Sequence, residues 1–505
     1  MKPHLLLYTD DLGIGGVAQF NSSLLCHLAT LGYPLSHVQA KPIEPLIHRE
    51  RELGIDHIWL GYHAGNDLTR TLKDINGAKT IFRQSQPQLI LFSDGWPFSN
   101  LAAKQAAIEL GIPYIIILGF IEPSCVRLSY GDDIPYVDVA TYQYGRARSV
   151  VAVSQENLNL LQRLFHLPSH LGQVIHYGRP SQYFAPPASE VRQRLRREQG
   201  IPEDAVVCFT AARMEPIKGY QYQIAAMRQL QPTQTWSKLY FLWAGSGSEC
   251  HYNNEQELKD AVAKLGTGDR VKFLGQRWDI PDLLDASDIF ILPSLAEGMP
   301  LSIMEAMAKG LPVIASAVSG VPEELGDTGK LLPHPQRDPK GTVRELVTAL
   351  EAWVASSQLR QSMGRACQQR AEVLFQESRM LADYTTVIEN VLSSLVPARS
   401  EVTSPEIDRQ FPSDLEHRLR YGSWVWEAWS AYCQGNLTMM AQCLQRSLNC
   451  SPFLKTKTID NWISSFHQFS TVQGETLDVY RLTDLEEWKH AIDEFSILYR
   501  TLTFL

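Results

Sequence analysis

The feature that most constrains this chain is a recurring set of short apolar runs without polar alternation. In the first part these are His4–Thr9 (HLLLYT), His57–Leu60 (HIWL), Leu89–Ser93 (LILFS), Tyr114–Leu118 (YIIIL), Ser149–Ser154 (SVVAVS) and Val174–His176 (VIH). A strand with one face in water alternates polar and apolar residues, whereas a continuous apolar run suits a strand covered on both faces. Segments with helical spacing, such as Ala18–Leu31 and Leu101–Leu110, fall between the runs. That alternation predicts an α/β fold with a doubly wound parallel sheet. It pauses at Gly178–Pro187 (GRPSQYFAPP), where Gly and Pro cluster as in an interdomain hinge. It restarts with Val206–Ala212, Leu239–Gly245, Val271–Gly275, Ile289–Ser294, Val313–Ser316 and Lys330–Pro333. The second half therefore predicts a second such sheet, with helical segments up to about Leu395. Two sheets facing each other enclose a cleft, a favoured place for ligands.

The predicted division is a Rossmann-like domain over 1–180 and a second over 181–395, whose last helix can pack back on the first domain. A Pro- and Ser-rich linker follows over 396–412 (VPARSEVTSPEIDRQFP), then an all-helical extension over 413–505. Within the extension, an aromatic-rich helix, a Gly-Asn break and a second amphipathic helix are similar to one tetratricopeptide-like hairpin. Such a segment can cap the two-domain body, pack on a sister chain or bind a partner. The aromatics Trp424, Trp426 and Trp429 point to self-association as a homo-oligomer.

The net charge of −9 argues against sequence-independent binding of nucleic acid, which needs a basic footprint. The eight cysteines are scattered without C-x-x-C spacing, which disfavours a zinc site and suits reduced thiols in a cytoplasmic protein. No run reaches the ~18 apolar residues of a membrane helix, so no transmembrane segment is expected.

The segment with the most chemistry is Glu297–Gly310 (EGMPLSIMEAMAKG), which follows the buried run IFILPS. Pro300 suits a first helical turn, where its missing N–H costs nothing. The N–H groups of Leu301, Ser302 and Ile303 then open into the cleft as an anion site. Glu297 on the loop and Glu305 in the second turn can hold hydroxyls on either side of a diphosphate. At the end of the first strand of the second domain lies AARMEPIKGY, with Arg213 and Lys218 across the Glu215-Pro216 turn. A guanidinium fork and an ammonium converging on a leaving diphosphate stabilise the charge that grows as the sugar–phosphate bond breaks. In the first domain, the first strand leads into Asp10–Ala18 (DDLGIGGVA), where Gly15 and Gly16 let the backbone approach a ligand closely. The pattern is not a strict G-x-G-x-x-G, and no Walker A sequence is present. Gly245 in AGSG and Arg277 or Trp278 in GQRW follow further strands and can meet the donor and its base.

Taken together, GIGGVAQF, VAVSQENL, VIHYGRPSQYF, AARMEPIKGY, WAGSG, VKFLGQ, DIFILPSLAEGMPLSIMEAMAKGLPVIAS and SGVPEEL resemble the retaining glycosyltransferase family 4, of GT-B architecture, over roughly residues 1–395. The resemblance implies that Arg213 and Lys218 bind the donor diphosphate and that Glu297 contacts the transferred sugar. It implies that Glu305 binds ribose hydroxyls and that the backbone of Gly298, Met299, Pro300, Leu301 and Ser302 holds phosphates and sugar. Gly15 and Gly16 would close over the donor from the opposite domain. It further implies retention of anomeric configuration with no metal or other cofactor.

Two positions depart from the family pattern. Gly119 stands where a His is usual, which keeps the backbone carbonyl and loses the imidazole, and Tyr177-Gly178 replaces an Asn-Gly. Asp94, Gly119 and Glu122, at the ends of first-domain strands, are the candidate acceptor contacts. The reading is a transferase moving a sugar from a nucleotide-diphosphate sugar, UDP favoured, to a hydroxyl of a metabolite, lipid or glycan. The alternative is a catalytically silent nucleotide-sugar-binding protein acting through its helical tail. A sugar-nucleotide epimerase or phosphorylase fits the motif combination less well.

Overall fold

The computed structural model describes residues 2–395 other than 12–14, 45, 64–66, 124, 126–135 and 248–252, together with Met439, Gln442 and Cys443. The linker 396–412, and the helical extension with Trp424, Trp426 and Trp429, otherwise lie outside the described residues.

Seven parallel strands form the first sheet: β1 (Leu5–Tyr8), β2 (Leu35–Gln39), β3 (Asp56–Trp59), β4 (Leu89–Asp94), β5 (Tyr114–Leu118), β6 (Ser149–Ala152) and β7 (Gly172–Val174), in the order β3-β2-β1-β4-β5-β6-β7. Every residue of β1, β4, β5 and β6 is buried, as apolar runs without alternation require. Strand β2 is equally buried yet reads LSHVQ. Its Ser36, His37 and Gln39 broke the apolar run, so the sequence pattern missed it. β7 pairs earlier than the run Val174–His176, although the ladder continues through Ile175 N–H, which donates to the Ala152 carbonyl at 3.1 Å.

The second sheet has six parallel strands: β8 (Val206–Ala211), β9 (Leu239–Ala244), β10 (Val271–Gly275), β11 (Ile289–Leu292), β12 (Val313–Ser316) and β13 (Lys330–Leu332), in the order β10-β9-β8-β11-β12-β13. In both sheets the order reverses beside the first strand, between β1 and β4 and between β8 and β11. Ligands of open α/β sheets bind outside the carboxyl ends of strands at this switch point. The Gly-rich turn after β1 and the loops holding Arg213 and Glu297 after β8 and β11 all lie there. This is the GT-B arrangement.

The chain crosses between domains twice. At the crossings, Arg179 N–H donates to Phe375 (2.7 Å) and Glu377 N–H donates back to Arg179 (3.0 Å). The helix Glu377–Leu395 then lies against the first-domain helix Gly16–Thr30. Ser23 donates to Glu377 at 2.7 Å, and Phe20 packs on Tyr384 with centroids 5.0 Å apart. One apolar cluster runs from Leu5 and Leu7 through Phe290 and Met304 to Tyr384 and Ile388, so the two domains share a core. Among the described residues no helix is long and apolar enough to cross a membrane. The described cysteines are all buried free thiols.

Candidate active site

The end of β8 delivers Arg213 to the cleft, and a 3-10 turn over Pro216–Lys218 brings Lys218 to the same side. Lys218 Nζ donates to both oxygens of Glu297, at 2.8 and 2.9 Å. Ser294 Oγ donates to Glu297 at 2.7 Å, which fixes the carboxylate against β11. Arg213 is half exposed and bonds Glu215 at 3.1 Å. The helix after β11 spans Leu301–Ala308. Pro300 is its N-cap rather than a first-turn residue, and Ile303 N–H is taken by Pro300 C=O at 3.0 Å. The expected three open amides are therefore two, Leu301 and Ser302, because the helix starts one residue later and its first turn tightens.

These groups line one cleft of about 860 Å3 between the domains, within the size of small-molecule sites. Arg213, Lys218, Gly245, Arg277, Glu297, Gly298, Met299, Pro300, Leu301, Ser302 and Glu305 all line it from the second domain. Gly15, Gly16, Gly119, Asp11, Trp96 and Tyr177 line it from the first. The walls meet at two glycine contacts. Gly15 has φ 129° and ψ −155°, open only to glycine, and a Cβ on Gly16 would sit 3.2 Å from Leu301 Cδ1. A Cβ on Gly298 would sit 1.9 Å from the Gly119 carbonyl oxygen. The Gly119 carbonyl thus borders the loop that leads into the donor-side helix.

Arg179 is the residue that sequence reasoning missed. Its Nη2 lies 2.6 Å from Glu305 and donates to Gln19 at 2.8 Å, while its guanidinium covers the Tyr183 ring. Burial raises the Glu305 carboxyl pKa, and Arg179 opposes that shift. Arg179 stood inside VIHYGRPSQYF, and a lone Arg between Gly and Pro at the hinge was the available signal. Each of the four cations facing the donor side has a carboxylate partner: Arg213 with Glu215, Lys218 with Glu297, Arg277 with Asp279 and Arg179 with Glu305.

Two acceptor candidates are misplaced. Asp94 is buried, accepting from Lys104 Nζ (2.5 Å) and Asn100 Nδ2 (2.7 Å). As the last residue of β4 it points into the domain and secures the following loop, so it does not reach the cleft. Glu122 is half-buried beyond β5 and does not line the cleft. Gly119 does, and a Cβ placed on it would meet the Tyr177 hydroxyl at 3.1 Å. The two departures from the family pattern are therefore neighbours: the Tyr177 phenol fills space beside Gly119 that a side chain there would need.

Residues 191–370 match the family described as Glycosyl transferases group 1. This stretch, just over a third of the chain, is similar to that family. It contains Arg213, Lys218, Glu297 and Glu305, the residues that build the second-domain wall. The chain is 29% identical over 227 residues to the D-inositol 3-phosphate glycosyltransferase of Corynebacterium aurimucosum, covering 44% of this chain and 52% of that protein. The chain thus spans about half the length of the curated relatives it matches. Among solved structures, sucrose-phosphate synthase from Thermosynechococcus elongatus superposes with a TM-score of 0.64 at 19% identity, covering 78% of this chain and 100% of that one. HepE of Anabaena, solved in complex with UDP-glucose, gives 0.63 at 20% identity with 78% and 100% coverage. At such identities the likeness establishes the fold.

Proposed function

We propose that the protein is a retaining glycosyltransferase that moves a sugar from a nucleotide-diphosphate sugar, UDP-linked, to a hydroxyl acceptor. The observation that carries this reading is the convergence of Arg213, Lys218 and the helix start at Leu301 and Ser302 on one interdomain cleft. As the bond between sugar C1 and phosphate oxygen breaks, its electron pair goes to the diphosphate. Two cations and a helix amino end, fixed beforehand, stabilise that growing charge. They supply the charge that a bound metal would otherwise provide, so the reaction runs without one. The acceptor oxygen attacks the face the diphosphate leaves, and the departing phosphate oxygen takes its proton, which retains configuration.

Glu297, oriented by Lys218 and Ser294, accepts hydrogen bonds from the transferred sugar's hydroxyls. Glu305, positioned by Arg179, accepts from the ribose. The Gly119 carbonyl faces the reacting carbon from the first domain, along which the acceptor enters. A UDP-linked donor is favoured by the HepE complex with UDP-glucose. Buried free thiols suit the reducing cytoplasm as the place of reaction.

A thermal-shift screen of UDP, GDP, ADP and their sugars tests the donor, since a ligand of the native state raises apparent stability. UDP compounds are expected to shift the melting point, and sugar release or transfer is expected to collapse in Lys218→Ala and Glu297→Ala. Full turnover in both variants refutes the site. Tight nucleotide binding with no product from a broad panel refutes the enzyme and leaves a silent binding protein. NMR of the product's anomeric proton tests retention.

A further inference from the structure

Three ligating side chains meet outside the cleft, at the β2–β3 edge of the first sheet. His37 comes from β2, His57 from β3 and Glu50 from the helix Leu46–Glu52 that covers them. His37 Nδ1 lies 2.8 Å and His57 Nε2 2.9 Å from the same oxygen, Glu50 Oε2. The side chains are 3%, 7% and 1% exposed for His37, His57 and Glu50. Their ligand atoms all lie within 4.8 Å of one another. Trp59 stacks on the His57 ring at 5.3 Å and shields it from solvent. The proposed transfer reaction uses none of them.

As a hydrogen-bonded cluster this arrangement is incomplete. With its proton on Nδ1, His37 donates to Glu50, but the Gln39 amide nitrogen, 3.2 Å from that same Nδ1, then faces a donor. His37 Nε2 meanwhile stays buried without a partner. With its proton on Nε2, that N–H has no acceptor and the Nδ1 lone pair faces a carboxylate. Glu50 Oε1 is also buried without a partner. Buried polar groups are normally satisfied, so each orphan calls for an explanation.

We propose that His37, Glu50 and His57 bind one divalent transition-metal ion of the zinc class, which ties the edge strand β3 to β2 and to the helix Leu46–Glu52. Two imidazoles and a carboxylate suit zinc, with bonds of about 2.0–2.2 Å that place tetrahedral ligands roughly 3.3 Å apart. The nitrogen–oxygen separations need to open by roughly 0.5 Å, a side-chain adjustment. The fourth position falls to water or to the amide oxygen of buried Gln39. The ion accepts the Nδ1 lone pair, which removes the clash between that lone pair and the Glu50 carboxylate. The helix Leu46–Glu52 also presents Leu46 and Arg49 to the cleft, so the ion braces part of the cleft wall.

The test uses the full chain, stripped with a chelator and titrated with zinc chloride by calorimetry, and with Co2+ followed by visible absorption. The expected result is one equivalent bound per chain, a tetrahedral Co2+ spectrum and a rise in melting temperature on adding zinc. His57→Ala is expected to abolish that rise and to weaken binding beyond the ~10–100-fold lost with a merely supporting group. His37→Ala should do the same; should circular dichroism show it unfolded, His57→Ala at the sheet edge and the wild-type Co2+ spectrum decide. The proposal is overturned if the wild type shows no saturable binding, or if His57→Ala binds as tightly as the wild type.

Discussion

Gly298→Ala isolates closure of the cleft from the grip on the donor. The new methyl carbon would lie 1.9 Å from the Gly119 carbonyl oxygen, 3.1 Å from Gly119 C and 3.5 Å from Phe120 Cα. A carbon–oxygen contact needs about 3.3 Å, so the walls must part by roughly 1.4 Å. Gly298 cannot retreat, because its own carbonyl accepts from Gly320 N–H at 3.0 Å. The movement therefore falls on Gly119, whose carbonyl faces the reacting carbon in the proposed reaction. A misplacement of this size costs about 10²-fold in rate, or about 2.7 kcal/mol in the barrier. Arg213 and Lys218 belong to the second domain and stay in place, so the affinity for UDP should change by no more than about twofold. Steady-state kcat/KM from released UDP and calorimetric titration with UDP measure the two quantities. Turnover within about threefold of wild type refutes the reasoning, since the closed contact would then be irrelevant to catalysis. A loss of UDP affinity as large as the loss of turnover also refutes it, because the methyl group would then have disturbed the donor-side loop rather than the closure of the cleft.

Further outcomes follow from the same geometry. Arg213→Ala should lower kcat by about 10²–10³, as removal of one preorganised charge-stabilising donor does, while product stereochemistry is unchanged. Arg179→Met leaves the buried Glu305 carboxylate without its cation and should cost roughly 3–5 kcal/mol, with the Arg179→Met/Glu305→Gln pair costing less; equal melting points for the two variants in calorimetry would contradict this. Trp278, 52% exposed at the cleft rim, should stack on the base. Trp278→Ala should then weaken UDP binding by about 0.5–1.5 kcal/mol without affecting pyrophosphate. Burial raises the Asp10 carboxyl from 3.8 to about 7. The folded state thus holds this proton where the unfolded state has lost it. The stabilisation is fully present below about pH 4 and disappears as pH rises through 7. Asp10→Asn should gain on wild type in melting temperature between those limits, and a pH-independent difference would rule this out.

Much of the architecture is legible locally. The run LILFS announces β4 because a parallel strand covered on both faces needs apolar side chains in both directions. The spacing of Leu101–Leu110 marks a helix with the same bounds in the structure. The meeting of Arg213, Lys218 and Glu297 on one cleft was likewise readable, because all three lie in loops that follow strand ends, and strand ends open to the cleft.

What the order of residues determined by itself was therefore the elements, their parallel arrangement and the chemistry carried at their ends. Tertiary structure alone decided which side chains meet. It turned Asp94 inward to Lys104, joined Arg179 to Glu305 across 126 positions of chain, set Tyr177 beside Gly119 and gathered His37, Glu50 and His57 under one helix. Periodicity is a property of neighbours along the chain. A contact between strands depends on sheet order and on how two domains close, and no local pattern encodes either.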